Sequence, residues 1–139
     1  MTVVLAPGTR LPDLTVPPIG RTTLALFAGA SGDHVPLHID VDAARAAGHP
    51  DVFAHGMLSM AYLGRLLTGW VPQDRIRGIS VRFTAITPLG ATPVCSGTVV
   101  AVDGDLARIE LAVALPDGTV TLTGEASVSL TTHQNQEPR

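Results

Sequence analysis

The chain has one cysteine, Cys95, in its 139 residues, so no disulfide framework can form within it. Set in an apolar, small-residue stretch, Cys95 reads as a buried and inert thiol. A basic run is also missing. Nine Lys and Arg are spread against twelve Asp and Glu, for a net charge of -3, which leaves no electrostatic footprint for gripping a phosphate backbone and argues against a nucleic-acid partner. No stretch approaches the roughly 18 consecutive apolar residues of a membrane span. The opening M-T-V-V-L-A-P-G-T-R places no basic segment before its short apolar stretch, so no leader and no membrane partner are expected. The expectation is a soluble, unprocessed, cytoplasmic protein.

What is present suits a globular enzyme-sized unit. The composition is 45% hydrophobic and 15% charged, too apolar for a disordered chain. A mass of 14.4 kDa fits one domain, and a chain of that size buries roughly two thirds of its unfolded surface. We expect that domain over residues 1–132, with a polar tail over 133–139.

Pro12, Pro17 and Pro18 confine Leu14–Val16 to a short edge strand. Helical spacing follows over Thr22–Ala30, with a Thr available as N-cap and Gly32 as the stop. In S-G-D-H-V-P-L-H-I-D, Ser31 to Asp40, Gly32 and Pro36 forbid a continuous helix and polar groups crowd together, so this is a structured loop. A short helical piece over Asp42–Ala47 closes on Gly48, and Pro50 forces extended or turned backbone up to Phe53. From His55 to Trp70 the run H-G-M-L-S-M-A-Y-L-G-R-L-L-T-G-W carries one charge, Arg65, and fits a central helix enclosed by other structure. Four strands then follow at Ile76–Thr84, Thr92–Val102, Leu106–Leu115 and Val120–Leu130, separated by P-L-G, D-G-D and P-D-G turns. Consecutive hairpins make an antiparallel sheet, and an apolar helix needs such a sheet to wrap it. The fold class is therefore α+β.

The chemistry concentrates in the loop. Asp33 and His38 lie five residues apart on backbone that cannot be helical, so their side chains are free to converge. A carboxylate beside an imidazole is an acid–base pair that works near neutral pH. An N-capping Asp and a core His satisfied by backbone would leave the same pattern. The helix start at His55-Gly56 adds unpaired amides and a positive dipole end, and Gly56 has no side chain to keep a carbonyl from its N–H. Plain helix-to-sheet packing also favours a glycine there. His34, His38, Asp40 and His55 suggest a metal site, but Pro36 breaks the H-x3-H helical spacing, so no metal is expected and His34 is read as a solvated loop residue.

Taken together, A-S-G-D-H-V-P-L-H-I-D and F-A-H-G-M-L resemble the signature of the MaoC-like dehydratases and (R)-specific enoyl-CoA hydratases. The likeness runs from P-P-I through V-R-F-T-A-I-T-P-L-G to G-T-V-T-L-T-G-E-A-S-V, nearly the whole chain. It implies a single hot-dog fold, a curved antiparallel sheet around one long helix. It also implies a homodimer or a like-fold partner chain, an acyl-CoA or acyl-carrier-protein substrate, and no cofactor. By position, Asp33 and His38 correspond to the family's catalytic pair and Gly56 to the backbone donor for the thioester carbonyl. Phe27, Val52, Phe53, His55, Met57, Met60 and Tyr62 are candidates to touch the substrate, though such residues are more often core than pocket. Two positions depart from the pattern. Val35 stands where the family's D-x-N-P-x-H has Asn, and Gly64 where some hydratases have Ser. A hot-dog thioesterase and a non-catalytic acyl-thioester sensor are the competing readings.

Overall fold

In the computed structural model, residues 5–131 are described; residues 1–4 and 132–139, and with them the tail, lie outside that range. The elements run β1 (Leu14–Thr15), α1 (Arg21–Ser31), a 3-10 turn (Pro36–His38), α2 (Val41–Ala46), α3 (Gly56–Thr68), a second 3-10 turn (Gln73–Arg75), β2 (Ile76–Phe83), β3 (Val94–Asp103), β4 (Leu106–Ala114) and β5 (Val120–Ser129). The strands form one five-stranded sheet in the order β1-β3-β4-β5-β2, and every pairing is antiparallel. This is the expected hot-dog: the sheet curls around α3.

Period-two alternation fixes which face of the sheet is inside. In β4, Ala107, Ile109, Leu111 and Val113 are buried while Arg108 and Glu110 point out. The inner face meets Leu63, Leu66 and Leu67 of α3, with Cys95, Val99, Leu122 and Val128 completing the core. Gly97 is small for a reason: a Cβ there would lie 3.2 Å from both Leu11 and Leu111. A second cluster, Val16, Ile19, Leu24, Ala44, Val52, Ala54 and Leu58, sits under α1 and fastens the loops preceding α3.

Three expectations need correction. No Thr caps α1; the N-cap is Gly20, whose carbonyl accepts from Leu24 N–H, so Thr22 and Thr23 lie inside the first turn. Gly32 does stop the helix, in the left-handed region at φ 75°. β3 begins at Val94 and not at Thr92, because Pro93 has no N–H to give the sheet and offers only its carbonyl, to Val16. Finally, α3 is not enclosed on all sides. Leu58, Ser59, Leu63, Leu66 and Leu67 are buried, but Met57 is 51% exposed and Ala61 also faces out. The open side of that helix borders the candidate site.

Candidate active site

The loop after α1 is organised by short polar contacts. Asp33 N–H donates to Ser31 Oγ at 3.2 Å, and the Asp33 carboxylate accepts from Val35 N–H at 3.3 Å. That second bond is an Asx turn, which bends the chain back at the position where an Asn would have stood. Pro36 opens the 3-10 turn that ends on His38, and Asp40 then caps α2 by accepting from Asp42 and Ala43 amides. Asp40 is thus spent on structure.

Phe53 clamps this turn from the other side. Its N–H donates to Leu37 O at 3.3 Å, and its carbonyl lies 2.7 Å from His38 Nδ1. A carbonyl can only accept, so Nδ1 carries a proton, and in the neutral imidazole the lone pair falls on Nε2. His55 Nε2 likewise lies 3.1 Å from Asp33 O and must be the donor. The rings of His38 and His55 stack with centroids 4.0 Å apart and planes 25° from parallel. Phe27 meets His55 edge-on at 4.9 Å. Side-chain ligand atoms of Asp33, His38 and His55 all lie within 4.8 Å of one another.

His55 is 1% exposed, and its Nδ1, like Ser59 Oγ one turn along α3, has no hydrogen-bond partner among the described residues. Burial pushes the His55 pKa down; the bond to the Asp33 carbonyl opposes this and the nearby His38 adds to it. His55 is therefore held neutral. Elsewhere, burial raises the Cys95 thiol to about 11, in line with an inert sulfur.

Two hollows of about 420 Å³ each meet at Asp33 and Met57. One is lined by Phe53, Gly56, Phe83, Ile86, Thr87 and Leu122 among others, the second by Phe27, Met60, Ala61, Gly64 and Ile79. Gly56 starts α3, where no side chain caps the helix, and its amide has no acceptor among the described residues. A Cβ on Gly56 would lie 2.8 Å from two ring atoms of Phe83.

Of the residues singled out from sequence, Asp33, Gly56, Phe27, Phe53, Met57 and Met60 line these hollows. His38 lines neither; one of its ring nitrogens lies within 4.8 Å of an Asp33 carboxylate oxygen. His55 lies behind the pair, stacked on one member and bonded to the other. Val52 borders a further depression with His49, Pro50 and Leu89, which shares Phe53 and Ile86 with the first hollow. Tyr62 packs into both core clusters and places its ring 5.9 Å from the Arg65 guanidinium carbon. His34 is exposed, as expected. Phe83, Leu122 and Ile79 were missed because in sequence they read as ordinary strand residues, and Ile86 and Thr87 because they lie in the segment leading to the P-L-G turn.

A hot-dog domain whose Asp33 carboxylate lines two apolar hollows, with an imidazole nitrogen of His38 within 4.8 Å of it, defines the class. The chain belongs to the MaoC-like dehydratase family: the model of the MaoC like domain matches residues 6–116. It is 30% identical over 118 residues to 3-hydroxyacyl-thioester dehydratase Z of Mycobacterium tuberculosis, covering 81% of this chain and 72% of that protein. To 3-hydroxyacyl-thioester dehydratase X of the same species it is 38% identical over 101 residues, covering 70% of this chain and 34% of the other. Among solved structures, the (R)-hydratase from A. caviae involved in PHA biosynthesis superposes with a TM-score of 0.83 at 27% identity, over 91% of this chain and 98% of that one. A chain of the ChsH1-ChsH2 complex from Mycobacterium tuberculosis gives a TM-score of 0.83 at 25% identity, over 92% and 100% of the two chains.

Proposed function

We propose that the protein adds water to, or removes it from, the C2–C3 double bond of an acyl thioester carried on coenzyme A or acyl carrier protein. The observation that carries this reading is the meeting of Asp33 and His38, ligand atoms within 4.8 Å, beside an apolar hollow that also holds the uncapped Gly56 amide. With Nδ1–H given to Phe53 O, His38 Nε2 is free to take a proton from water, and Asp33 orients that water. The water oxygen bonds to C3 of a trans-2-enoyl thioester as the π bond breaks. Charge then moves onto the thioester oxygen, where the Gly56 N–H and the dipole of α3 stabilise it. Return of the proton from His38 Nε2 to C2 completes an (R)-3-hydroxyacyl product and restores the neutral imidazole, and the reverse sequence dehydrates it. These steps use this chain's own groups and water, and no metal or organic cofactor is invoked.

A second copy of the chain, or a chain of like fold, is the proposed partner. Among the described residues strand β2 ends the sheet with an unpaired edge, and Met57, Phe83 and Ile86 are exposed. One observation favours a second reading, thioester hydrolysis. Asp33 lines both hollows and His38 neither, so the carboxylate alone could direct water at the carbonyl. Incubation with one enoyl-CoA and analysis of products separates the cases. 3-Hydroxyacyl-CoA is expected; free CoA would mean hydrolysis, and tight binding without turnover would mean a non-catalytic subunit.

A further inference from the structure

His55 occupies the N-cap of α3 but caps nothing. An N-cap side chain ordinarily offers an oxygen to the first free amides. This one turns inward instead. Its Nε2–H goes to the Asp33 carbonyl, its face lies on the His38 ring, and Phe27 closes on it edge-first. It lines neither hollow.

We propose that His55 is a positioning residue that holds Asp33 and His38 in register with each other without touching substrate. The proposal rests on the hydratase reading of that pair. Asp33 lies before the 3-10 turn that carries His38, so no single regular element holds both side chains and fixes their relative pose. The bond from His38 Nδ1 to Phe53 O and the Phe53 ring, edge-on at 5.2 Å, hold the imidazole from the Phe53 side and leave it able to tip on the other. A second ring packed at 4.0 Å removes the tipping, and the same ring's N–H ties down the backbone that carries the carboxylate. One rigid side chain thus constrains both members. An imidazole is suited to this: it has an aromatic face, a donor, and a neutral form that burial maintains beside His38 while His38 gains and loses its proton. The cost is visible in Nδ1, buried with no partner among the described residues. An apolar side chain there would avoid that cost but would release Asp33.

His55→Phe keeps the face and loses the donor, and His55→Gln keeps a donor and loses the face. Each is expected to lower kcat by roughly 10–10²-fold, the scale of a small misplacement of a catalytic group, with KM within about twofold. A raised KM at unchanged kcat would make His55 a substrate contact and overturn the proposal. NMR gives a readout independent of turnover and of how the variants fold. In the wild-type protein the His38 Cε1–H should resonate upfield of its free position, under the ring current of His55. Absence of that displacement overturns the proposal. The displacement should survive in His55→Phe and vanish in His55→Gln. Asp33→Asn, measured alongside, separates the two levels. If Asp33→Asn is inactive while both His55 variants run at full rate, the positioning role fails alone. If Asp33→Asn itself runs at full rate, the hydratase reading fails and this proposal with it.

Discussion

Ser59 illustrates the residue scale. Its hydroxyl is fully buried on the core side of α3 and has no partner among the described residues, an arrangement that costs about 1–3 kcal/mol. Removing the oxygen leaves a gap smaller than a methyl group. Ser59→Ala is therefore expected to stabilise the protein, by about 1 kcal/mol, read as a higher midpoint in urea. A lower midpoint would mean that the hydroxyl has a partner in solution. His55 makes a pH prediction. Its folded pKa is depressed below the ordinary 6.5, so its neutral form belongs to the native state. The stability tied to that neutrality is complete above 6.5 and is lost as pH falls from there through the depressed folded value. The urea midpoint should fall between about pH 8 and about pH 5, and fall less in His55→Phe. Equal slopes in the two proteins would contradict the burial account. Asp33 and His38, the titratable groups facing His55, remain in both.

At the scale of elements, the start of α3 carries the argument. Gly56 is exposed, uncapped and pressed against Phe83, whose ring is 51% exposed and free to move aside. Gly56→Ala should fold, and should lower kcat by roughly 10–10²-fold by obstructing the donor amide. The loss should persist when Phe83→Ala is added, relative to Phe83→Ala alone. Recovery in the double variant would mean that the glycine makes room for the Phe83 ring and not for a substrate.

The elements were legible because their signals are local. Alternation gave the strands, Gly32 gave the end of α1, and Pro36 kept the Asp33–His38 loop out of helix. The far walls of the hollows were not legible. Phe83 and Leu122 come to the site only through the β2–β5 register, which pairs them, and no local pattern encodes a cross-strand pairing. The role of His55 was hidden for a related reason. Its position before Gly56 suggested a substrate contact, whereas stacking on a residue 17 positions earlier depends on how the second core cluster folds the loop beneath α1. Tyr62 sits among pocket-facing neighbours in sequence, but the helical repeat turns it toward the core.

For the whole molecule, the open edge of β2 and the apolar side chains near it set the expectation. Leu26, 70% exposed, extends the apolar surface along α1. Such surface on a small domain marks an interaction face, and a symmetric copy can cover it with itself. Sedimentation at micromolar concentration should give a dimer, or a complex if a like-fold chain is supplied. A monomer with full activity would contradict this.

The central claim is that Asp33 and His38 act on one water, and a double-mutant cycle on hydration tests it most directly. Wild type, Asp33→Asn, His38→Gln and the double variant are compared by loss of the enoyl absorbance of crotonyl-CoA, or of a longer enoyl-CoA if that one is refused. Each single change should lower the rate by roughly 10²–10⁴-fold. The double variant should be hardly slower than the slower single variant, as for groups acting as a unit. Near-normal rates in both single variants, or losses that simply multiply in the double, would contradict the account.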